Sequence, residues 1–206
     1  MNATGSAWRR DGIGRASHRP IPGHDLPSVF TPDDLLSGRF PSGQVLIYDD
    51  DHYYMGGVLA ELLVSRGCRV TLATPARLPS AFTQYTLEQE RIEKRLLNLG
   101  VQIILHHRLI SIQADGCQLS HLLSGDLLPQ PCDAVVLVTD RLPQDALYHE
   151  LKPHLKRGEL LTLRRIGDAE TPHLIAQAVY SGHLAAREFD ETRSDGTPFK
   201  VERTEV

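Results

Sequence analysis

Apolar and polar residues alternate in blocks along residues 43–140, and the blocks predict an α/β domain. Short apolar runs bounded by turn residues are typical of buried parallel strands, and longer stretches with apolar positions about every 3.6 residues indicate helices. The predicted strands are Val45–Tyr48, Arg69–Thr74, Gln102–His106 and Cys132–Thr139; the predicted helices are Gly56–Ser65, with Val58, Leu59, Leu62 and Leu63 on one side, and Thr86–Leu99, with Leu87, Ile92, Leu96 and Leu99 buried.

An antiparallel hairpin is predicted between the third and fourth of these strands. Asp115-Gly116 separates the β-rich runs Leu109–Gln113 and Gln118–Leu123, and Asp-Gly is a strong signal for a tight hairpin turn. The fold class predicted for 43–140 is therefore a Rossmann-like parallel sheet with a β-hairpin or meander layer.

The flanking regions are less regular. Residues 9–42, rich in Arg, Gly, Pro and His, predict an irregular connection that contains one short helix, with Thr31 as N-cap and an end near Gly38. Beyond residue 140 the pattern predicts a helix near Asp145–Leu151 and a weak strand at Leu161–Ile166. It also predicts a helix over Pro172–Phe189 whose inward positions are Ile175, Ala178, Val179, Gly182 and Ala186, and a flexible tail at 191–206.

The first strand and helix have the layout of a dinucleotide-binding turn but lack its glycines. The three fingerprint positions are Asp51, Tyr53 and Gly56, so only the last glycine, which packs helix on strand, is present. We expect the carboxylate and the phenol to fill the space a phosphate needs, with Asp49 and Asp50 adding repulsion.

The end of the second strand gives the same indication. An NAD site would have an acidic residue there for the ribose hydroxyls, and an NADP site an arginine nearby. Thr74 and Pro75 supply neither, and Arg77 is three residues late. The sequence therefore favours a structural domain over a nicotinamide-cofactor site.

Composition excludes several other classes. A net charge of −4 without a basic stripe argues against nucleic acid, and no apolar run is long enough to predict a membrane span. The three cysteines are far apart in sequence, which suits a reducing cytoplasm and encodes no zinc or iron–sulfur motif. We interpret Asp49–His52 as a solvated turn rather than a metal site, and we expect His106 and His107 to face opposite sides of a strand.

Six segments together resemble the C-terminal region of the trimethylamine and dimethylamine dehydrogenase group, which includes related demethylases and 2,4-dienoyl-CoA reductase within the old-yellow-enzyme superfamily. They are ATGSAWRRDG (3–12), IPGHDLPSVFTPDDLL (21–36), DDDHYYMGGVLAELL (49–63), TLEQERIEKRLL (86–97), CDAVVLVTDRLPQDALY (132–148) and RIGDAETPHLIAQAVYSGH (165–183). Because the chain starts close to Ala3-Thr4-Gly5, which is typical of a strand end, we expect it to begin inside a domain, as a region truncated at its N-terminus.

The resemblance implies two domains of the glutathione-reductase type. Residues 43–140 would be the NAD(P)H-like domain, inserted into a split FAD- or ADP-like domain formed by 1–42 and 141–190. The family's FMN and four-iron cluster would belong to a preceding region, so no residue here is expected to be catalytic or to hold a metal. The expected partner is that flavin and iron–sulfur region, or a separate subunit that carries it.

The same resemblance singles out four residues for an ADP or FAD site. Gly167 and Asp168 match a Gly-Asp pair whose carboxylate binds cofactor hydroxyls, and Thr4 and Gly5 would line the site from the other side. The alternative is structural, with Asp168 as a helix cap and Thr4-Gly5 as a turn. The function predicted is a largely structural part of an amine dehydrogenase or demethylase; the alternatives are a non-catalytic partner subunit and a free-standing NADH-dependent reductase.

Overall fold

A computed structural model describes residues 1–189, and the flexible tail predicted at 191–206 lies outside them. The chain forms two compact units. The central unit is Trp8–Arg141, and the terminal unit combines Met1–Ala7 with the chain from Leu142 onward. Residues 8–42 thus pack with 43–141, whereas the resemblance implies that 1–42 belong to the split domain.

The described residues contain ten strands and five α-helices. The strands are β1 (Ser6–Trp8), β2 (Val29–Phe30), β3 (Gln44–Asp49), β4 (Arg69–Ala73), β5 (Gln102–Ile104), β6 (His107–Gln113), β7 (Gly116–His121), β8 (Leu127–Pro131), β9 (Ala134–Val138) and β10 (Arg141–Pro143). The helices are α1 (Pro32–Leu36), α2 (Tyr54–Ser65), α3 (Gln89–Asn98), α4 (Ala146–Lys156) and α5 (Ile175–Arg187), with 3₁₀ turns at Ala81–Thr86 and Gly167–Ala169.

The core of the central unit is a five-stranded parallel sheet in the order β2-β9-β3-β4-β5. Alternate residues of β3 lie on opposite faces of this sheet. Val45 and Ile47 pack with the helices, whereas Leu46 and Tyr48 pack with β6 and β7. Both faces are buried, which explains why β3 and β9 are almost continuously apolar.

A three-stranded antiparallel sheet, β6-β7-β8, covers the second face. The hairpin prediction accounts for β6 and β7. It missed β8, because Pro129 and Pro131 argue against a strand; proline is tolerated here since β8 lies at the edge of its sheet. The coarse fold class, a mixed α/β chain, is confirmed.

Two predicted helix faces are wrong. Helix α3 begins at Gln89 rather than Thr86, and Leu87, predicted to be buried, has a φ of 61° and is 94% exposed. Leu96 is buried as expected. On α2, Val58 is 56% exposed although Leu59 and Leu63 are buried.

The terminal unit departs further from the prediction. The strand predicted at Leu161–Ile166 is reduced to a parallel bridge between Asn2 and Arg165. In α5 the predicted inward residues Ile175 and Val179 are 83% and 54% exposed, while Ala185 is buried. Ala178 and Ser181 of this helix lie next to Gly167, whose backbone N–H donates to the Ser181 hydroxyl at 2.8 Å. No helix among residues 1–189 is long and apolar enough to span a membrane.

Candidate functional site

The carboxyl ends of β3, β4 and β9 meet at one edge of the parallel sheet, where ligands bind in open α/β sheets. The turn after β3 lies at this edge. Asp49 and Asp50 are both fully buried and His52 is 8% exposed, so the expectation of a solvated turn is wrong. Protein atoms, rather than water, surround these carboxylates.

Asp49 points toward helix α2. One carboxylate oxygen accepts the His52 backbone N–H at 3.0 Å, and the other has no hydrogen-bond partner in the described part of the chain. A Cβ on Gly56 would stand 2.7 Å from the Asp49 Cγ, so only glycine allows the helix to approach. Burial disfavours the charged carboxylate and raises the pKa of Asp49 to about 7.

Asp50 points the other way, toward the segment Gly14–Ser17, which we call the covering segment. Its Oδ2 accepts the Ala16 backbone N–H at 2.9 Å, and its Oδ1 lies 3.3 Å from the His52 Nε2. A Cβ on Gly14 would stand 2.5 Å from the Asp50 Oδ2. The covering segment therefore lies directly against the edge.

His52 fills the part of the sheet edge that lies next to β4. Its backbone is left-handed, with a φ of 65°, and its ring lies 5.5 Å from the Phe82 ring and 3.5 Å, Nδ1 to Oγ1, from buried Thr74. Tyr53 is half-buried and its ring contacts Tyr54 at 4.4 Å between centroids. The edge is thus filled by Asp49, Asp50, His52 and the covering segment, with Tyr53 to one side.

The four residues predicted for an ADP or FAD site lie in the terminal unit. The two pairs are connected by Ser6, the residue that follows Gly5. The Ser6 hydroxyl donates to the Asp168 Oδ2 at 3.0 Å, directly after Thr4-Gly5. Gly5 and Gly167 both have positive φ, 81° and 59°, which glycine adopts without strain. Sequence reasoning missed Ser6, although it follows Thr4-Gly5 in the same segment.

Asp168 fits a cofactor hydroxyl only in part. Its Oδ1 accepts the His173 backbone N–H at 3.2 Å, so it also stabilises the approach to α5, as in the structural alternative. The Thr4 hydroxyl is engaged by the Asn2 side chain and the Gln144 carbonyl.

Histidines gather at the start of β6. The rings of His106 and His107 lie 6.0 and 5.0 Å from the ring of His121. The two neighbours do not face opposite sides of a strand, because His106 lies between β5 and β6 with a φ of 57°. Residues 1–189 nevertheless contain no group of three or more His, Cys, Asp or Glu side chains arranged to hold a metal.

Comparison with known proteins places this geometry in a family. Residues 30–126 match the model of the OYE-like second alpha/beta domain. These residues belong to that domain family. The match runs from β2 into the β7–β8 turn and so contains the closed edge at Asp49–His52; the covering segment and the four predicted site residues lie outside it.

Longer relatives match almost all of the chain. It is 34% identical to dimethylamine dehydrogenase of Hyphomicrobium sp. (strain x), over 92% of this chain and 29% of that protein. Two solved structures have a TM-score of 0.89: the 6-hydroxypseudooxynicotine amine oxidase of Pseudomonas geniculata N1 (42% identity; 92% of this chain, 28% of that one) and the histamine dehydrogenase of Rhizobium sp. 4-9 (39%; 99% and 32%). The chain is homologous to these proteins and spans less than a third of their length.

Proposed function

We propose that this chain is the non-catalytic α/β part of an amine dehydrogenase or demethylase of this family. The observation that carries the proposal is the closed edge of the parallel sheet. A dinucleotide phosphate there would have to displace the Ala16 N–H from Asp50 and would face that residue's buried carboxylate. Two negative charges repel strongly in a site without water. The domain therefore has a structural role and does not bind a nicotinamide cofactor.

We also propose that the central sheet and its two covering layers form a Rossmann-like domain of the glutathione-reductase NAD(P)H type. A parallel sheet in the order β2-β9-β3-β4-β5, with helices on one face and a three-stranded antiparallel sheet on the other, is what a Rossmann-like domain of the glutathione-reductase NAD(P)H type would have. In this chain such a domain has kept its layers and exchanged its ligand for internal contacts. This argues against a free-standing NADH-dependent reductase.

The partner is the flavin and iron–sulfur region that the resemblance implies, in the same polypeptide or in a separate subunit. The terminal unit exposes large apolar side chains that soluble proteins normally cover, among them Leu161, Ile175, Val179 and Tyr180. The relatives are about three times as long as this chain, so their additional sequence is the occupant that we assign to this surface. The three free, buried cysteines agree with a reducing cytoplasm.

A chimera tests this function. The matching part of the Rhizobium histamine dehydrogenase would be replaced by this chain. We expect the chimera to purify with flavin and to oxidise histamine, because this chain supplies no reacting group. A soluble, flavin-loaded chimera that does not oxidise histamine would contradict the proposal.

Variants on one helix test the docking surface. The double variant Ile175→Asp, Val179→Asp should prevent this chain from docking on the rest of the chimera, because two carboxylates would be buried in an apolar contact. Gln177→Asp, on the exposed polar face of α5, is the matched control and should assemble normally. Equal assembly of both variants would mean that this surface is not the contact.

A second candidate function is an ADP or FAD site at Asp168, which the Ser6–Asp168 contact favours. The carboxylate would accept ribose hydroxyls, and the phosphates would need a cradle from the partner region. In the chimera we expect Asp168→Ala to weaken ADP binding about tenfold, the effect of one or two charge-assisted hydrogen bonds. Glu170→Ala, at an exposed position two residues away, should leave the dissociation constant unchanged in calorimetric titration.

A further inference from the structure

Two of the three cysteines meet in the layer between the two sheets of the central unit. Cys117 lies in β7, and Cys132 precedes β9 by two residues. They are 6% and 8% exposed and belong to the same buried apolar cluster. They are distant in sequence, so the contact arises only from the fold.

The strand register explains the contact. Cys117 lies opposite Gln130 in the β7–β8 ladder. Cys132 follows Gln130 by two residues, so it continues on the same face as the diagonal neighbour of Cys117. The interaction between the two thiols raises the pKa of Cys117 and lowers that of Cys132.

The two thiols differ in access. Cys132 lines a surface cavity of about 330 Å³ together with Gln130, Pro131 and Cys68, whereas Cys117 does not line it. A small oxidant such as hydrogen peroxide therefore meets Cys132 first. Cys68 reaches the same cavity, but its sulfur contacts the Pro41 carbonyl at 3.6 Å and burial raises its pKa, so it is the less reactive thiol.

We propose that Cys117 and Cys132 form a reversible disulfide that ties the antiparallel sheet to the parallel sheet when peroxide is present. The Cys132 thiolate attacks one peroxide oxygen and gives a sulfenic acid, and hydroxide leaves as water after taking a proton. The Cys117 thiol then displaces the sulfenic oxygen, which leaves as a second water, and the S–S bond forms. A dithiol such as dithiothreitol reverses the step by thiol exchange.

Mass spectrometry of the full 206-residue chain tests the proposal. Peroxide should lower the intact mass by two hydrogen atoms and reduce the free thiols from three to one, and dithiothreitol should restore both. Both cysteines lie between Arg108 and Arg141 on one tryptic peptide, so cleavage before Asp126 is also needed. The two resulting pieces should stay joined only in the oxidised sample.

Single-cysteine variants identify which two cysteines form the bond, and the conclusion does not depend on any single variant. Cys68→Ser should still lose the two hydrogens, whereas Cys117→Ala and Cys132→Ala should not, with far-UV circular dichroism checking that each remains folded. In Cys117→Ala the sulfenic acid should persist at Cys132 and react with dimedone. The proposal is overturned by a Cys68–Cys132 bond, by an intermolecular bond, or by a wild-type chain that keeps three thiols or overoxidises Cys132 without cross-linking.

Discussion

The central and terminal units use apolar residues in opposite ways. In the central unit two apolar layers enclose the parallel sheet, and even the polar turn at Asp49 and Asp50 is fully buried. The terminal unit has Ala169 and Ala185 as its buried apolar side chains among the described residues and exposes Ile175, Val179 and Tyr180. The first buries polar groups at the edge of its sheet, and the second leaves large apolar side chains exposed.

Truncating one large apolar side chain in each unit should give the largest contrast. Leu72→Ala removes a fully buried side chain from strand β4 of the parallel sheet and should cost about 2–5 kcal/mol of unfolding free energy. Ile175→Ala, at a position 83% exposed, should change stability by less than about 0.5 kcal/mol. Urea unfolding followed by Trp8 fluorescence and circular dichroism measures both, and equal losses would refute the contrast.

The buried carboxylate of Asp49 should make the central unit pH-sensitive. Its pKa is raised from 3.8 to about 7, so the folded state holds the proton more tightly than the unfolded state. Its stabilising contribution is complete below about pH 4 and is lost as the pH rises to about 7, a change on the order of 4 kcal/mol at most.

Asp49→Asn keeps an acceptor for the His52 N–H and removes this titration. The variant should match the wild type near pH 4 and exceed it near pH 8 in urea unfolding. If the two proteins had parallel stability profiles across this range, Asp49 would not be the titrating group.

Two neighbouring glycines in α2 test whether this helix packs directly against Asp49. Gly56→Ala would press a methyl group against the Asp49 carboxylate at 2.7 Å and should cost about 1–3 kcal/mol. Gly57→Ala meets Ile92 and Ser80 at 3.5 Å, an ordinary contact, and should be neutral or stabilising by up to about 1 kcal/mol. Thermal unfolding that ranked them the other way would show that α2 does not rest on Asp49.

The smallest effect is expected in the terminal unit. Ser6→Ala removes the hydrogen bond to Asp168 and should cost about 1 kcal/mol, seen as faster amide exchange at His173, whose N–H the same carboxylate accepts. Thr171→Ala, at an exposed position of the same unit, is the control. Unchanged exchange at His173 in Ser6→Ala would separate Ser6 from the predicted site.

Local patterns were sufficient to predict most of the central unit. The apolar runs gave β3, β4 and β9, and the start of α1 was predicted down to its N-cap; Thr31 and Asp34 form the reciprocal capping box. Such features depend on neighbours in sequence. The third strand of the antiparallel sheet was missed because two prolines lower strand propensity everywhere except at an edge.

The closed edge could be predicted only in part. The missing glycines predict that phosphate binding is disfavoured, and they point to Asp51 and Tyr53 as the obstacle. The residues that fill the edge are Asp50 and the covering segment, about 35 positions apart in sequence, and no local pattern reports such a contact. The exposed face of α5 was mispredicted for a related reason, because periodicity identifies an apolar face without saying whether this chain or another region covers it.

The most direct test of the central claim is a titration of the purified chain with NADH and NADPH, followed by Trp8 fluorescence and by isothermal calorimetry. The closed edge predicts no saturable binding below about 1 mM, a free energy weaker than about −4 kcal/mol. Micromolar binding of either cofactor that perturbs Tyr53 and is lost on substitution of Gly56 would contradict the account.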